Sequence, residues 1–318
     1  MLANGKVLVA GGYSSSLSAS SLSTTELYDP ATWIWTITGS MSYTRYIHTA
    51  SVLTNGKVLV AGGYSTTSGD LNSVELYNPS TEVWTLTGSM SYTRYYHTAS
   101  VLTNGKVLVV GGYSSSFGAL NTAELYDPST GVWTLTGSMS YTRYFHTVSM
   151  LASGKVLVAG GYSTSNGYLN TAELYDPSTG VWTLTGSMSY ARYIHTASVL
   201  TNGKVLIAGG YDNGIDWNTA ELYDPSTGLW AITGSMSYSR YFHTSLVLTN
   251  GKILVAAGYD TTSGILNSAE LYNSSTGAWT ITATLSYARH AHTACVLTNG
   301  KVLVVGGVGI SSSELYQP

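Results

Sequence analysis

Three residue types recur in this chain at one fixed interval and could do chemistry: histidine, arginine and tyrosine. Six histidines, His48, His97, His146, His195, His243 and His292, stand 48 or 49 residues apart. Metal sites draw on ligand pairs one helical turn apart or on mixed clusters of His, Cys, Asp and Glu. These histidines have neither, so no metal site is expected; His290, off the pattern beside Arg289, is read as a surface residue. Arg45, Arg94, Arg143, Arg192, Arg240 and Arg289 each precede one of the six by three positions. A second series, Tyr13, Tyr64, Tyr113, Tyr162, Tyr211 and Tyr259, each follows a glycine that ends an apolar run. Cys295 is the one cysteine and occupies a slot where sister segments carry Ser51, Ser100 and Ser198. That excludes an internal disulfide framework and a zinc-thiolate site. Serines abound, but none has a distinct nucleophile turn. An enzyme would show one segment departing from its sisters to build an asymmetric site. The segments are nearly uniform, so no catalytic residue and no cofactor is expected.

The elements that carry these residues are repeats. The string NGKVLVAGG at Asn4–Gly12 returns at Asn55–Gly63, and variants follow at Gly105, Gly154, Gly203, Gly251 and Gly300. Residues 121–147 and 170–196 differ only at Thr142/Ala191 and Phe145/Ile194. A single such unit cannot bury its own apolar faces, so residues 1–318 read as one repetitive domain. All 13 basic residues are repeat positions, seven lysines and the six arginines. Of the 16 acids, only Asp70, Glu82, Asp212, Asp216 and Asp260 depart from the pattern. A net charge of −3 with no basic run argues against nucleic acid or a membrane surface as partner. No stretch is long and apolar enough for a membrane span, and Met1 opens inside repeat sequence with no leader pattern. The chain thus reads as an excised or truncated piece, expected to be monomeric.

Four strands are predicted per repeat, here labelled a to d. Strand a is HTASVL (His48–Leu53), followed by an Asn-Gly turn of expected type I′. Strand b, Lys57–Ala61, is almost wholly apolar, as a strand covered on both faces must be. Strand c, Val74–Tyr77, ends in Asn78-Pro79, elsewhere DPSTG, which fits a type I turn. Strand d alternates, with Trp84 and Leu86 on one face and Thr85 and Thr87 on the other, and is read as outermost. With no helical periodicity, the fold class is all-β.

Arg-x-x-His, Gly-Gly after an apolar strand, then Glu-Leu-Tyr-Asp-Pro and a Trp resembles the kelch repeat. In one copy these are Arg94, His97, Gly111, Gly112, Glu124, Tyr126 and Trp133. The pattern covers essentially the whole chain, though the last copy has Val308 in the Tyr slot and lacks the Trp strand. The resemblance implies a β-propeller of four-stranded antiparallel blades. Six a, seven b, seven c and six d strands allow two arrangements. Kelch domains commonly complete a leading b–c–d blade with a C-terminal a strand, which gives six blades and leaves residues 300–318 over. Seven blades use every b–c hairpin and are favoured, because an unpacked Lys301–Val305 would expose side chains each worth roughly 1.5–3 kcal/mol when buried.

Antiparallel order puts the a–b and c–d turns at one end of a blade and the b–c and d–a loops at the other. The b–c loops vary, as in STTSGDLNS (Ser65–Ser73) and DNGIDWNT (Asp212–Thr219), and variable loops on a repeated scaffold are the usual place for binding. In kelch substrate adaptors the two matching motif positions line a mouth that receives acidic peptides. The resemblance therefore nominates the six tyrosines and six arginines above as ligand-binding residues. The competing reading is structural, with each Arg paired to the Glu of an ELY string. Arginines roughly 10 Å apart would repel by about 0.4 kcal/mol in water and about 1.7 at an effective dielectric of 20, so an unpaired ring would need hydration or an anion. Phe117 and Tyr168 are expected as exposed aromatic contacts, and Trp217 as packing.

Three functions fit: a module binding a protein or peptide, a glycan-binding module, or a consensus-like scaffold with no evolved ligand. Some kelch-like propellers are copper radical oxidases, which need a Cys–Tyr crosslink with further Tyr and His ligands at one irregular place. Cys295 in a repeat slot does not supply that.

Overall fold

The computed structural model describes residues 1–15 and 19–317. Every regular element in it is a strand, and no helix among the described residues is long and apolar enough to cross a membrane. From blade 2 onward the apolar b strands pair on both sides, with a and with c, so each lies inside its sheet and shows no alternation, as in VLVA and VLVV. Blade 2 is typical: a (Thr49–Val52), b (Val58–Ala61), c (Val74–Asn78) and d (Val83–Leu86), hydrogen-bonded in that order. Blade 1 has b, c and d (Val7–Ala10, Thr25–Asp29, Ile34–Ile37), and blade 7 has a, b and c (Thr293–Val296, Val302–Val305, Ser313–Tyr316). Five four-stranded sheets lie between them in sequence. The fold is a β-propeller of seven blades, and Gly300–Gln317 forms blade structure, as expected from its apolar content.

By its internal contacts the chain divides into two compact units, residues 1–144 with 176–182, and residues 145–175 with 183–318. Within each, consecutive sheets pack face to face. In the first unit, Leu59, Ala61 and Val74 of blade 2 bury against Val107, Val109, Tyr126 and Trp133 of blade 3. In the second, Leu206, Ala208 and Ala220 of blade 5 meet Ile253, Val255 and Tyr272 of blade 6. Buried polar tips are satisfied across the same seams: Thr87 Oγ1 and Tyr126 Oη lie 2.9 Å apart, and Trp230 Nε1 donates to Gly186 O at 2.7 Å.

Two expectations from sequence are corrected. The a–b turn is not type I′: the Leu53 amide donates to Lys57 O across a three-residue loop, and only Gly56 has positive φ, at 80°. That is a type I turn closed by a left-handed glycine, the usual solution for three residues. On strand d, Trp84 is buried against Tyr77 with ring centroids 5.1 Å apart, but Leu86, on the same face, is 56% exposed. The Trp joins a cluster with Tyr77 of its own blade and Leu2, Leu27 and Met41 of the chain before it; the Leu lies outside that cluster.

Candidate functional site

The d–a loop, Arg-Tyr-x-His, is the framework of the loop-bearing end. All six arginines are 0% exposed. Arg94 shows why: Nη1 donates to Gly111 O at 2.7 Å and Thr122 O at 3.2 Å, and Nη2 donates to Glu124 Oε1 at 2.7 Å. Glu124, also fully buried, accepts in addition from the amides of Ser91 and Tyr92 at 2.7 and 3.3 Å. The pair recurs as Arg45–Glu75, Arg192–Glu221, Arg240–Glu270 and Arg289–Glu314, at 2.8 to 3.1 Å. Burial pulls the guanidinium pKa of Arg45, Arg94, Arg192 and Arg240 down, and the Glu partner pulls it back up. The arginines nominated as ligand-binding residues are thus buried, and the competing reading, a pair with the Glu of an ELY string, is the arrangement the structure has. Arg45, Arg94, Arg143, Arg192, Arg240 and Arg289 lie within the loops' framework, where the buried Glu75, Glu124, Glu173, Glu221 and Glu270 require a charge beside them.

The Gly pair exists to admit this loop. A Cβ on Gly62 (φ 61°) would stand 2.5 Å from Arg94 O and 2.9 Å from His97 Cε1. The histidines are interior too. His97 Nε2 lies 3.0 Å from Thr49 Oγ1 of the preceding blade, and the contact repeats for His195, His243 and His292 at 2.8 to 3.0 Å. Burial, reinforced by the adjacent Arg, lowers the pKa of His48 and His97 to about 3 and of His292 to about 4. Among the described residues no three His, Cys, Asp or Glu side chains come together as a metal would need. Cys295 pairs with Leu303 inside strand a of blade 7, and burial raises its thiol pKa.

The tyrosines are placed otherwise. Four loop-opening tyrosines bond their backbone to the Tyr that follows an Arg: Tyr64 with Tyr46, Tyr113 with Tyr95, Tyr211 with Tyr193 and Tyr259 with Tyr241. The side chains then alternate. In the first unit Tyr13, Tyr46, Tyr64, Tyr95, Tyr113 and Tyr144 succeed one another at centroid separations of 5.2, 5.7, 5.6, 5.5 and 5.4 Å. In the second, Tyr162, Tyr193, Tyr211, Tyr241, Tyr259 and His290 do so at 6.2, 6.4, 5.5, 5.4 and 5.8 Å. His290 is therefore the last Tyr slot of this ladder and not a stray surface residue; partial burial lowers its pKa, which favours the neutral ring. The Arg-Tyr partners were missed in the sequence, although the dipeptide itself recurs five times and was the signal available.

The next residue of the motif is Ile47, Tyr96, Phe145, Ile194, Phe242 or Ala291, and all six have positive φ between 50 and 56°. Left-handed backbone at non-glycine residues costs of order 1–3 kcal/mol each and persists only where the surroundings over-determine it. The Arg main chain does so here: Arg94 N donates to Leu71 O, and Arg94 O accepts from Gly63 N. This position is where the nearly identical segments 121–147 and 170–196 differ, so it varies while its backbone does not.

Adjacent b–c loops are stapled by side chains of different kinds at one position. Ser21 Oγ accepts from Thr66 N at 3.0 Å, Asp70 from Ser115 N and Asp216 from Thr261 N, whereas Tyr168, at the same position, turns its ring onto Tyr162, Tyr193 and Tyr211. Tyr168 is thus half-buried, whereas Phe117 is 64% exposed. Trp217 packs on Tyr190 with centroids 4.4 Å apart and donates to Ala191 O at 3.0 Å, the packing role expected.

A family model described as the KLHDC2/KLHL20/DRC7 Kelch-repeats domain matches residues 1–183 and 134–307. Comparison with curated proteins gives no match. Among solved structures, a fungal alcohol oxidase of the AA5 family, in complex with copper, is similar with a TM-score of 0.77. The two are 19% identical, over 96% of this chain and 68% of the oxidase, a likeness of fold alone.

Proposed function

Since the chain belongs to the kelch-repeat family of the KLHDC2/KLHL20/DRC7 type, we propose that it is a non-enzymatic module that binds a protein or peptide through its b–c and d–a loops. Kelch propellers commonly serve as protein-interaction modules. The observation that carries the reading is the tyrosine ladder of each unit, flanked by variable loops. Tyrosine supplies rigid amphipathic contact area and is enriched at binding hot spots. Tyr13, Tyr64, Tyr113, Tyr162, Tyr211 and Tyr259 are the contact residues, joined by the Arg-Tyr tyrosines. The six arginines act as positioning residues that hold the loops.

Ligand polarity follows from the charges. With the arginines spent inside and the lysines in the a–b turns, the loops carry Asp70, Asp212, Asp216 and Asp260 and no free cation. An acidic peptide, favoured on sequence because of the arginines, would meet no opposite charge there. A neutral or basic ligand fits better. Glycan binding is the second reading, supported by tyrosine faces beside Ser, Thr and Asn donors. Capture of partners from a peptide array, set against a glycan array, separates the two. Hits confined to glycans, or no hit on either, would overturn the protein-binding reading.

A further inference from the structure

One loop of the second unit departs from its sisters at two positions that would otherwise touch. In blades 2 and 3 the residue after the loop-opening Tyr is a fully buried serine, Ser65 or Ser114. Each meets a d–a loop hydroxyl at 2.8 Å, Thr44 Oγ1 or Thr93 Oγ1. Blade 6 replaces the serine by Asp260, which bonds Ser239 Oγ and the amides of Thr262 and Ser263, the latter two at 2.9 and 2.6 Å. In blade 5 the serine slot holds Asp212, but the Thr slot holds Ala191, whose methyl group offers no hydrogen bond.

Asp212 is consequently a half-buried carboxylate with no hydrogen bond or ion pair to it among the described residues. Burial is the one cause acting on its pKa, which is raised. Its charge acts on Tyr168 of the neighbouring b–c loop. The Tyr168 ring in turn lies 5.9 Å from that of Tyr211 and 5.8 Å from that of Tyr193. No cation of the chain serves this carboxylate: Arg192, the nearest in sequence, is buried against Glu221 at 3.1 Å.

The geometry points to Asp212 and Tyr168 as a receptor for a cationic side chain, lysine or arginine, of a peptide ligand. The carboxylate supplies charge-assisted hydrogen bonds, and the aromatic rings beside it supply a favourable face for a desolvated cation. This rests on the peptide-binding reading above and gives it a ligand chemistry.

The test is titration of the whole chain, at low salt, with acetyl-Gly-Lys-Gly-amide, its arginine counterpart and its Nε-acetyl-lysine counterpart, followed by amide chemical shifts. The expected result is movement of the Asn213 and Gly214 amides with the charged peptides and not with the acetylated one. Asp212→Asn should weaken that binding at least tenfold with unchanged melting temperature, since no internal partner is lost. Ala191→Thr, which restores the missing hydroxyl, should weaken it too, and Asp224→Asn at the opposite end should not. A preference for one of the two cations identifies the side chain recognised. Equal binding of the acetylated peptide, or by Asp212→Asn, would overturn the inference while leaving the peptide-binding function intact. If no peptide moves any loop amide, the inference falls, and the peptide-array result decides the function separately.

Discussion

Replacing Arg94 by Ala should cost stability and not binding energy. Arg94 is 0% exposed, and its removal leaves the Glu124 carboxylate buried, with the amides of Ser91 and Tyr92 as its remaining partners. Breaking a buried pair from one side costs about 3–5 kcal/mol, and the carbonyls of Gly111 and Thr122 lose a donor as well. Taking about 4 kcal/mol and roughly 2.1 cal/mol/K of unfolding entropy per residue, the melting temperature should fall by about 6 °C. The double variant Arg94→Met/Glu124→Gln, which buries no charge and keeps an acceptor for the Ser91 amide, should recover about 2 kcal/mol relative to Arg94→Ala. Urea and thermal unfolding of the three proteins measure this. An Arg94→Ala protein as stable as the parent, with weaker binding of an acidic peptide, would refute the reasoning and return the arginines to the ligand.

Three further outcomes are expected. His48, His97 and His292 have folded pKa values of about 3, 3 and 4 against an unfolded value near 6.5, so below that pH the unfolded chain binds protons that the folded chain does not. Stability present above pH 6.5 should therefore fall on acidification to pH 5, by about 1.4 kcal/mol per pH unit for each histidine; a flat urea midpoint would contradict this. Ala291→Gly should raise the melting temperature, since Ala291 is exposed at φ 51° and relief of left-handed strain is worth about 1 kcal/mol. Deleting residues 300–318 removes the buried Val302, Leu303 and Val304, each worth roughly 1.5–3 kcal/mol, and should destabilise the chain; an unchanged melting temperature would argue for six blades.

The fold was legible because its causes are local and repeated. Continuous apolar runs such as Val58–Ala61 mark strands covered on both faces, and Asp127-Pro128 and Asn55-Gly56 mark the turns between them. The site was half legible. The loop-opening tyrosines were found. For the arginines the sequence offers two readings, ligand contact and a buried pair with the Glu of an ELY string, because a motif position says nothing about which way a side chain points; the structure has the buried pair. The ELY glutamates lie 25 to 30 residues further along the chain, so the repeat names them as possible partners but only the fold brings the two together. The Arg-Tyr tyrosines were overlooked because they enter the site by stacking on a second series, which is visible only once the backbone brings the two series together. The loop staple could not be read at all, since Ser21, Asp70 and Asp216 share a place and an acceptor oxygen but not a single residue type.

The most direct test of the central claim, that the tyrosine-bearing loops form the binding surface, is the affinity of a peptide selected on the whole chain from a random library. It should be measured on two double variants of the first unit, Tyr64→Ala/Tyr113→Ala at the loop end and Lys57→Ala/Lys106→Ala at the a–b turns. Loss of one hot spot, about 2 kcal/mol, corresponds to roughly 30-fold in Kd. The loop-end variant should weaken binding by at least that factor while the lysine variant stays within about twofold of the parent. A folded loop-end variant that binds as tightly as the parent would contradict the account.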